Sequence, residues 1–139
     1  MQLTPTVYLP GLCDEAIAFY RTTLDIEILF VRRIEDCIDA NHVLRGTERK
    51  VLRAAVRIGQ SVLYLSDGHG TGQPSHQGFS LSLTLPTLVD AERVFQALSE
   101  GGRILLPLRQ TTWANIYGVL IDKFGLHWTV ETTSIAQPS

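Results

Sequence analysis

The chain has 139 residues, of which 45% are hydrophobic; that is enough to bury the core of one domain, and a second domain is not expected. A net charge of -2, with basic residues scattered apart from Arg32-Arg33 and the stretch Arg45 to Arg57, argues against nucleic-acid binding. The start Met1-Gln2-Leu3-Thr4-Pro5 lacks a charged leader with an apolar core, and the longest apolar runs are only strand-length, so the expectation is a cytoplasmic protein with no membrane partner.

Leu3 to Leu9 reads as a strand, Pro10-Gly11 as a turn, and Asp14 to Thr23 as an amphipathic helix with acidic residues in its first turn. Ile26 to Ile34 is rich in β-branched and aromatic residues and supplies a second strand. Glu35 to Glu48 has weak periodicity and reads as a loop, with a helical turn around Ile38 to Leu44. Val51 to Ile58 and Ser61 to Leu65 flank Gly59-Gln60, a two-residue gap containing glycine, which predicts a hairpin.

Asp67 to Gln77 is rich in Gly, Ser and Pro and reads as a linker. Phe79 to Leu85 alternates as a strand, and Val89 to Leu98 is a helix closed by Glu100-Gly101-Gly102. Arg103 to Leu106 is a short strand, Pro107 to Ala114 a loop, and Tyr117 to Asp122 a strand. Lys123-Phe124-Gly125 then turns the chain into His127 to Thr132, beyond which the tail from Ser134 is expected to fray.

Asp14-Glu15-Ala16-Ile17-Ala18-Phe19-Tyr20, running on to Ile28-Leu29, is echoed 76 residues later by Asp90-Ala91-Glu92-Arg93-Val94-Phe95-Gln96, running on to Ile104-Leu105. This is an internal repeat of one helix-plus-strands unit. The fold expected is α+β, two βαβββ modules over about 1–67 and 78–133 of a single domain, with curled mixed sheets around a shared cleft.

Strand parity then sorts the residues by face. Val7 and Leu9 oppose Thr6 and Tyr8; Ala54, Val56 and Ile58 oppose Arg53 and Arg57; Leu81, Leu83 and Leu85 oppose Ser80, Ser82 and Thr84; Trp128 and Val130 oppose His127, Thr129 and Glu131. The bland reading is a solvated outer face. The sharper one is a front that takes a small polar or anionic ligand, lined by Tyr8, Arg53, Arg57, Ser80, Trp113, His127, Thr129 and Glu131. His42, His69 and His76 fall in weakly patterned segments and read as solvated. Cys13 and Cys37 read as reduced thiols, although the helix start beside Cys13 would favour a lowered pKa.

The pieces Gly11-Leu12-Cys13-Asp14-Glu15-Ala16-Ile17-Ala18-Phe19-Tyr20, Val56-Arg57-Ile58-Gly59, Leu65-Ser66-Asp67, Gly78-Phe79-Ser80-Leu81, Thr112-Trp113-Ala114, Tyr117-Gly118 and Asp122-Lys123-Phe124-Gly125 resemble the PhnB-like branch of the glyoxalase/bleomycin-resistance/dioxygenase superfamily, which has the vicinal oxygen chelate fold. The resemblance spans Leu3 to Glu131. It implies paired βαβββ modules, a homodimer, and in the enzymes a divalent metal held by His, Glu or Gln.

The matching positions here are Thr6 or Pro5, Ser80 and Thr129, with Glu131 further along the same face. Arg53 stands where PhnB-like relatives often carry a His, and a guanidinium cannot ligate a cation. The loop Arg109 to Asn115 departs too, with Gln110 in place of an acidic residue. No metal and no cofactor are therefore expected. Three readings stay open: a metal-free binding protein; a metal-dependent lyase, isomerase or dioxygenase with displaced ligands such as His127, Glu131 and a linker His; and a dimerisation scaffold without ligand. Whether any catalysis remains is left open by the residues.

Overall fold

The computed structural model describes residues 1–37, 45–68, 75–112 and 116–133, with only the backbone of Cys37. The helical turn expected at Ile38 to Leu44, His42, His69, Trp113 and the tail from Ser134 lie outside the described residues. The chain divides into two compact units, Met1–Pro74 and Ser75–Ser139.

The first unit runs β1 (Thr6–Tyr8), α1 (Cys13–Leu24), β2 (Glu27–Arg33), a one-turn α2 (Ile34–Cys37), β3 (Val51–Ile58) and β4 (Ser61–Ser66). Its sheet has the order β1-β4-β3-β2, with β1 parallel to β4 and the other pairs antiparallel. One helix turns Cys13, Ala16, Ile17 and Tyr20 inward, and they are buried with Val7, Leu9, Ala54, Val56, Leu63 and Leu65. Removing most of a side chain such as Leu65 from a core of this kind costs about 2–5 kcal/mol.

Leu12, the N-cap of α1, offers no side-chain acceptor. The buried carboxylate of Asp67 supplies it: Oδ1 accepts from the Cys13 N–H at 3.1 Å and Oδ2 from the Val51 N–H at 2.8 Å. One side chain thus ties the helix start to the start of β3, satisfying donors that would otherwise be orphaned.

The second unit repeats the plan with β5 (Leu81–Leu85), α3 (Leu88–Ser99), β6 (Arg103–Arg109), β7 (Tyr117–Ile121) and β8 (His127–Thr132), in sheet order β5-β8-β7-β6 with β5 parallel to β8. Thr87 caps α3, its hydroxyl accepting from the Asp90 N–H at 3.1 Å. Ala91, Val94, Phe95 and Leu98 of α3 are buried with Leu120, Trp128 and Val130. Gly118 lets this packing close: a Cβ there would meet Phe95 at 2.8 Å and Leu108 at 3.0 Å.

Several boundaries differ from expectation, and the short α2 stands where Glu35 onward reads as a loop. β1 covers only Thr6–Tyr8, and β5 starts at Leu81. β6 continues to Arg109, through a segment read as a loop because it holds Pro107. Its place at the sheet edge explains this, since a strand there can lose one N–H donor to proline. The repeat extends to irregularities: the ladder shifts register between Ile28 and Phe30 and again between Ile104 and Leu106. Leu29 and Leu105, equivalent in the repeat, are the extra residues of matching bulges.

Candidate functional site: the front of each sheet

On the first sheet the face opposite α1 is ordered by the ladder. Arg53 and Arg32 are direct cross-strand partners, Ala55 lies between Phe30 on β2 and Tyr64 on β4, and Tyr64 in turn pairs with Thr6 of β1. Like charges directly opposite each other repel. Both side chains are held by aromatic rings instead of acids: the Arg53 Cζ sits 4.4 Å from the Tyr64 ring centroid, and the Arg32 Cζ 4.1 Å from that of Phe30. Such cation–π contacts are each worth about 0.5–1 kcal/mol at exposed sites. Among the described residues neither guanidinium has a carboxylate in ion-pair range.

The other expected residues of this face are placed as follows. Arg57 donates from Nη1 to Glu27 Oε2 at 2.8 Å, so its charge is already matched. Tyr8 is exposed beside Gly68, where a Cβ would come within 3.3 Å of the ring. Arg32 was not among the expected residues. The bulge at Leu29 shifts the phase of β2, so parity counting alone does not place Arg32 beside Arg53.

On the second sheet, Ser82 pairs with Thr129, and Thr129 with Val119; Thr84 pairs with Glu131, and Glu131 with Tyr117. His127 is opposite Ile121. His127, Thr129 and Glu131 therefore share one face as expected, His127 and Glu131 half-buried and Thr129 buried. Ser80 is exposed and just precedes β5. This front carries hydroxyls, an imidazole and a carboxylate.

The donors present do not fit the metal centre that the resemblance implies. Thr6, Arg53, Ser80 and Thr129 offer hydroxyls and a guanidinium where imidazole or carboxylate lone pairs are required. His127 and Glu131 are four residues apart on one strand, about 13 Å along it. Side chains standing perpendicular to the sheet do not both reach a single ion at about 2 Å from that separation. Among the described residues, no three His, Cys, Asp or Glu side chains converge.

Cys13 is a free thiol, as its sequence reading has it, whereas His76 departs from its own. The Cys13 thiol is fully buried and its pKa is pushed up to about 12, chiefly by burial and then by the Asp67 and Asp14 charges. The helix start does not lower it. His76, expected in solvent, is buried, with its ring edge-on to Phe79 at 6.4 Å and its Nε2 without a partner among the described residues. Burial lowers its pKa, with Asp122 opposing and His127 reinforcing the shift. A lone His in a Gly- and Ser-rich stretch carries no sequence signal of burial.

The sequence profile of the glyoxalase/bleomycin resistance protein/dioxygenase superfamily matches residues 3–130. The protein YjdN of Escherichia coli K12 is 30% identical over 94% of each chain. A crystal structure of a Pseudomonas aeruginosa protein is 30% identical, with a TM-score of 0.84 over 96% of this chain and 98% of that one. A PhnB protein from Bacillus cereus, described as a candidate 3-demethylubiquinone-9 3-methyltransferase, is 26% identical with a TM-score of 0.78 over 96% and 100% of the two chains. With two such modules, a matched profile over nearly its whole length and relatives of this kind, the chain belongs to the glyoxalase/bleomycin resistance protein/dioxygenase superfamily, in its PhnB-like branch.

Proposed function

We propose that this protein binds a small polar or anionic molecule without a metal, and that Arg53 is its principal anchor. The observation that carries the reading is the state of that side chain. Arg53 is exposed on the face of the first sheet opposite α1, is stacked on Tyr64, and has no carboxylate partner among the described residues. A guanidinium that is positioned but not neutralised is a ready receptor for an oxyanion, which it engages through two parallel N–H donors. Tyr8 extends the same face with a ring and a hydroxyl. Arg57 contributes once a ligand competes with Glu27. Ser80, Trp113, His127, Thr129 and Glu131 are proposed as the neutral and acidic ligand-facing groups of the second unit.

The proposal carries a homodimer as its assembly and the cytoplasm as its compartment. No helix among the described residues is long and apolar enough to cross a membrane. Light scattering in line with gel filtration gives the assembly directly.

The test of function is a thermal-shift and calorimetric screen of small carboxylates and phosphate compounds against the intact chain and Arg53→Gln. Stabilisation of the intact chain by an anion, lost in the variant, is the expected result, because a ligand that binds only the folded form raises its melting temperature. Stabilisation by zinc, nickel, manganese or iron at stoichiometric concentration, with anions inert, overturns the reading.

A further inference from the structure

We infer that Arg32 and Arg53 act as a pair, and that the group they hold is a dianionic tetrahedral oxyanion of the phosphate-monoester class. The inference rests on the anion-binding reading above and adds a residue and a charge state to it.

The ladder supplies the geometry. Phe30, Ala55 and Tyr64 stand side by side on β2, β3 and β4. Arg32 leans over Phe30 and Arg53 over Tyr64, so both guanidinium groups are drawn to the two sides of Ala55. Two strand spacings separate β2 from β4, about 10 Å. An oxyanion accepting N–H donors from both sides at about 2.8 Å needs a similar distance between the two guanidinium carbons. Ala55, the middle residue, is itself buried, so the group held sits above it, at the level of the two exposed guanidinium groups.

Charge sets the valence. Two guanidinium groups on directly opposed positions repel each other, and no carboxylate among the described residues offsets either one. Glu27 offsets Arg57 one step along the same face, so the sheet neutralises one arginine and leaves this pair unmatched. A monoanion answers half of that charge. A dianion answers all of it, with oxygens directed to both sides. Both arginines are exposed, so a charged molecule reaches them without unfolding the sheet.

The experiment is calorimetric titration of the full chain with phenyl phosphate, inorganic phosphate and acetate at constant ionic strength. The proteins are the intact chain, Arg32→Gln, Arg53→Gln, the double variant, and Arg93→Gln on α3 as a control for net charge. The expected order is phosphate compounds well above acetate, with affinity rising as pH passes through the second phosphate ionisation near about 6. Each single variant loses about tenfold, and Arg93→Gln loses nothing measurable. Equal binding of phenyl and inorganic phosphate supports recognition of the phosphate group alone, and tighter phenyl phosphate supports an ester as the natural ligand.

Loss of binding in Arg53→Gln with Arg32→Gln unchanged overturns the pair and leaves the single-anchor reading standing. Acetate binding as tightly as phosphate overturns the dianion. Unchanged binding in both variants overturns both readings. All variants alter exposed side chains, and coincident urea transitions establish that they fold.

Discussion

Asp25 and Gly101, equivalent positions of the internal repeat, both hold left-handed backbone conformations, with φ of 54° and 79°. Each ends the helix of its unit and sends the chain into the following strand. Only glycine adopts this conformation without steric cost, and aspartate is among the few other residues that tolerate it. Asp25→Gly is expected to raise stability by about 0.5 kcal/mol. Gly101→Ala is expected to lower it by about 1–2 kcal/mol, because its Cβ also meets Lys123 at 3.2 Å. Urea denaturation of the two variants measures both signs.

Asp122 organises the β7–β8 turn. It is buried, and it accepts from the N–H groups of Phe124 at 2.8 Å and Leu126 at 3.1 Å and from the Trp128 indole at 2.8 Å. Asp122→Ala leaves three buried donors unsatisfied and is expected to cost at least about 3 kcal/mol. Asp122→Asn keeps one acceptor oxygen and costs less. The fluorescence of Trp128, followed through a denaturant titration, reports both the transition and the altered surroundings of the indole.

Thiol chemistry offers a third check. A fully buried Cys13 with its pKa near 12 is almost wholly protonated at neutral pH, and the thiolate is the reactive form. Iodoacetamide at pH 8 is expected to leave Cys13 unmodified in the native protein and to alkylate it in urea. Peptide mapping by mass spectrometry separates Cys13 from Cys37. Rapid native modification of Cys13 contradicts its placement.

His76 sets a pH dependence. Its folded-state pKa lies below the ordinary value of 6.5, so the unfolded chain takes up the proton first. The stability linked to the neutral ring is therefore complete above about pH 6.5 and declines as pH falls below it. His76→Phe is expected to flatten the stability profile between pH 6.5 and 5. An equally steep loss in the variant shows that other groups set that limb.

The hairpin was legible because Gly59-Gln60 is both a turn signal and a gap of the right length; β3 ends at Ile58 and β4 begins at Ser61, as read. The duplication was legible from Asp14-Glu15 and Asp90-Ala91 onward because helix and strand periods recur in the same order. Arg53 and Glu131 fall on the faces that parity gives because β3 from Arg53 onward and β8 keep the period of two, the irregularity of β3 lying at Leu52 just before Arg53. Arg32 was missed because a bulge breaks the period of two on which face assignment depends. Asp67 and Asp122 enter the sequence reading only as the ends of a linker and a strand and as parts of a resemblance. What they do, binding N–H groups up to 54 residues away, is a tertiary fact with no local pattern. His76 reads as solvated for the complementary reason, since its burial comes from contacts that the Gly- and Ser-rich stretch around it does not signal.

The proline inside β6 has a consequence for solubility. This strand ends its sheet and exposes Ile104 and Leu105 at 46% and 47%, the sort of border on which a foreign chain can add itself and seed fibril growth. Pro107 deletes one donor from that border, the bulge at Leu105 breaks its flatness, and Arg103 and Arg109 place positive charge at both tips. Two copies meeting antiparallel along this strand would set arginine against arginine. The irregularity that hid the end of β6 from sequence reading thus also guards the protein against aggregation.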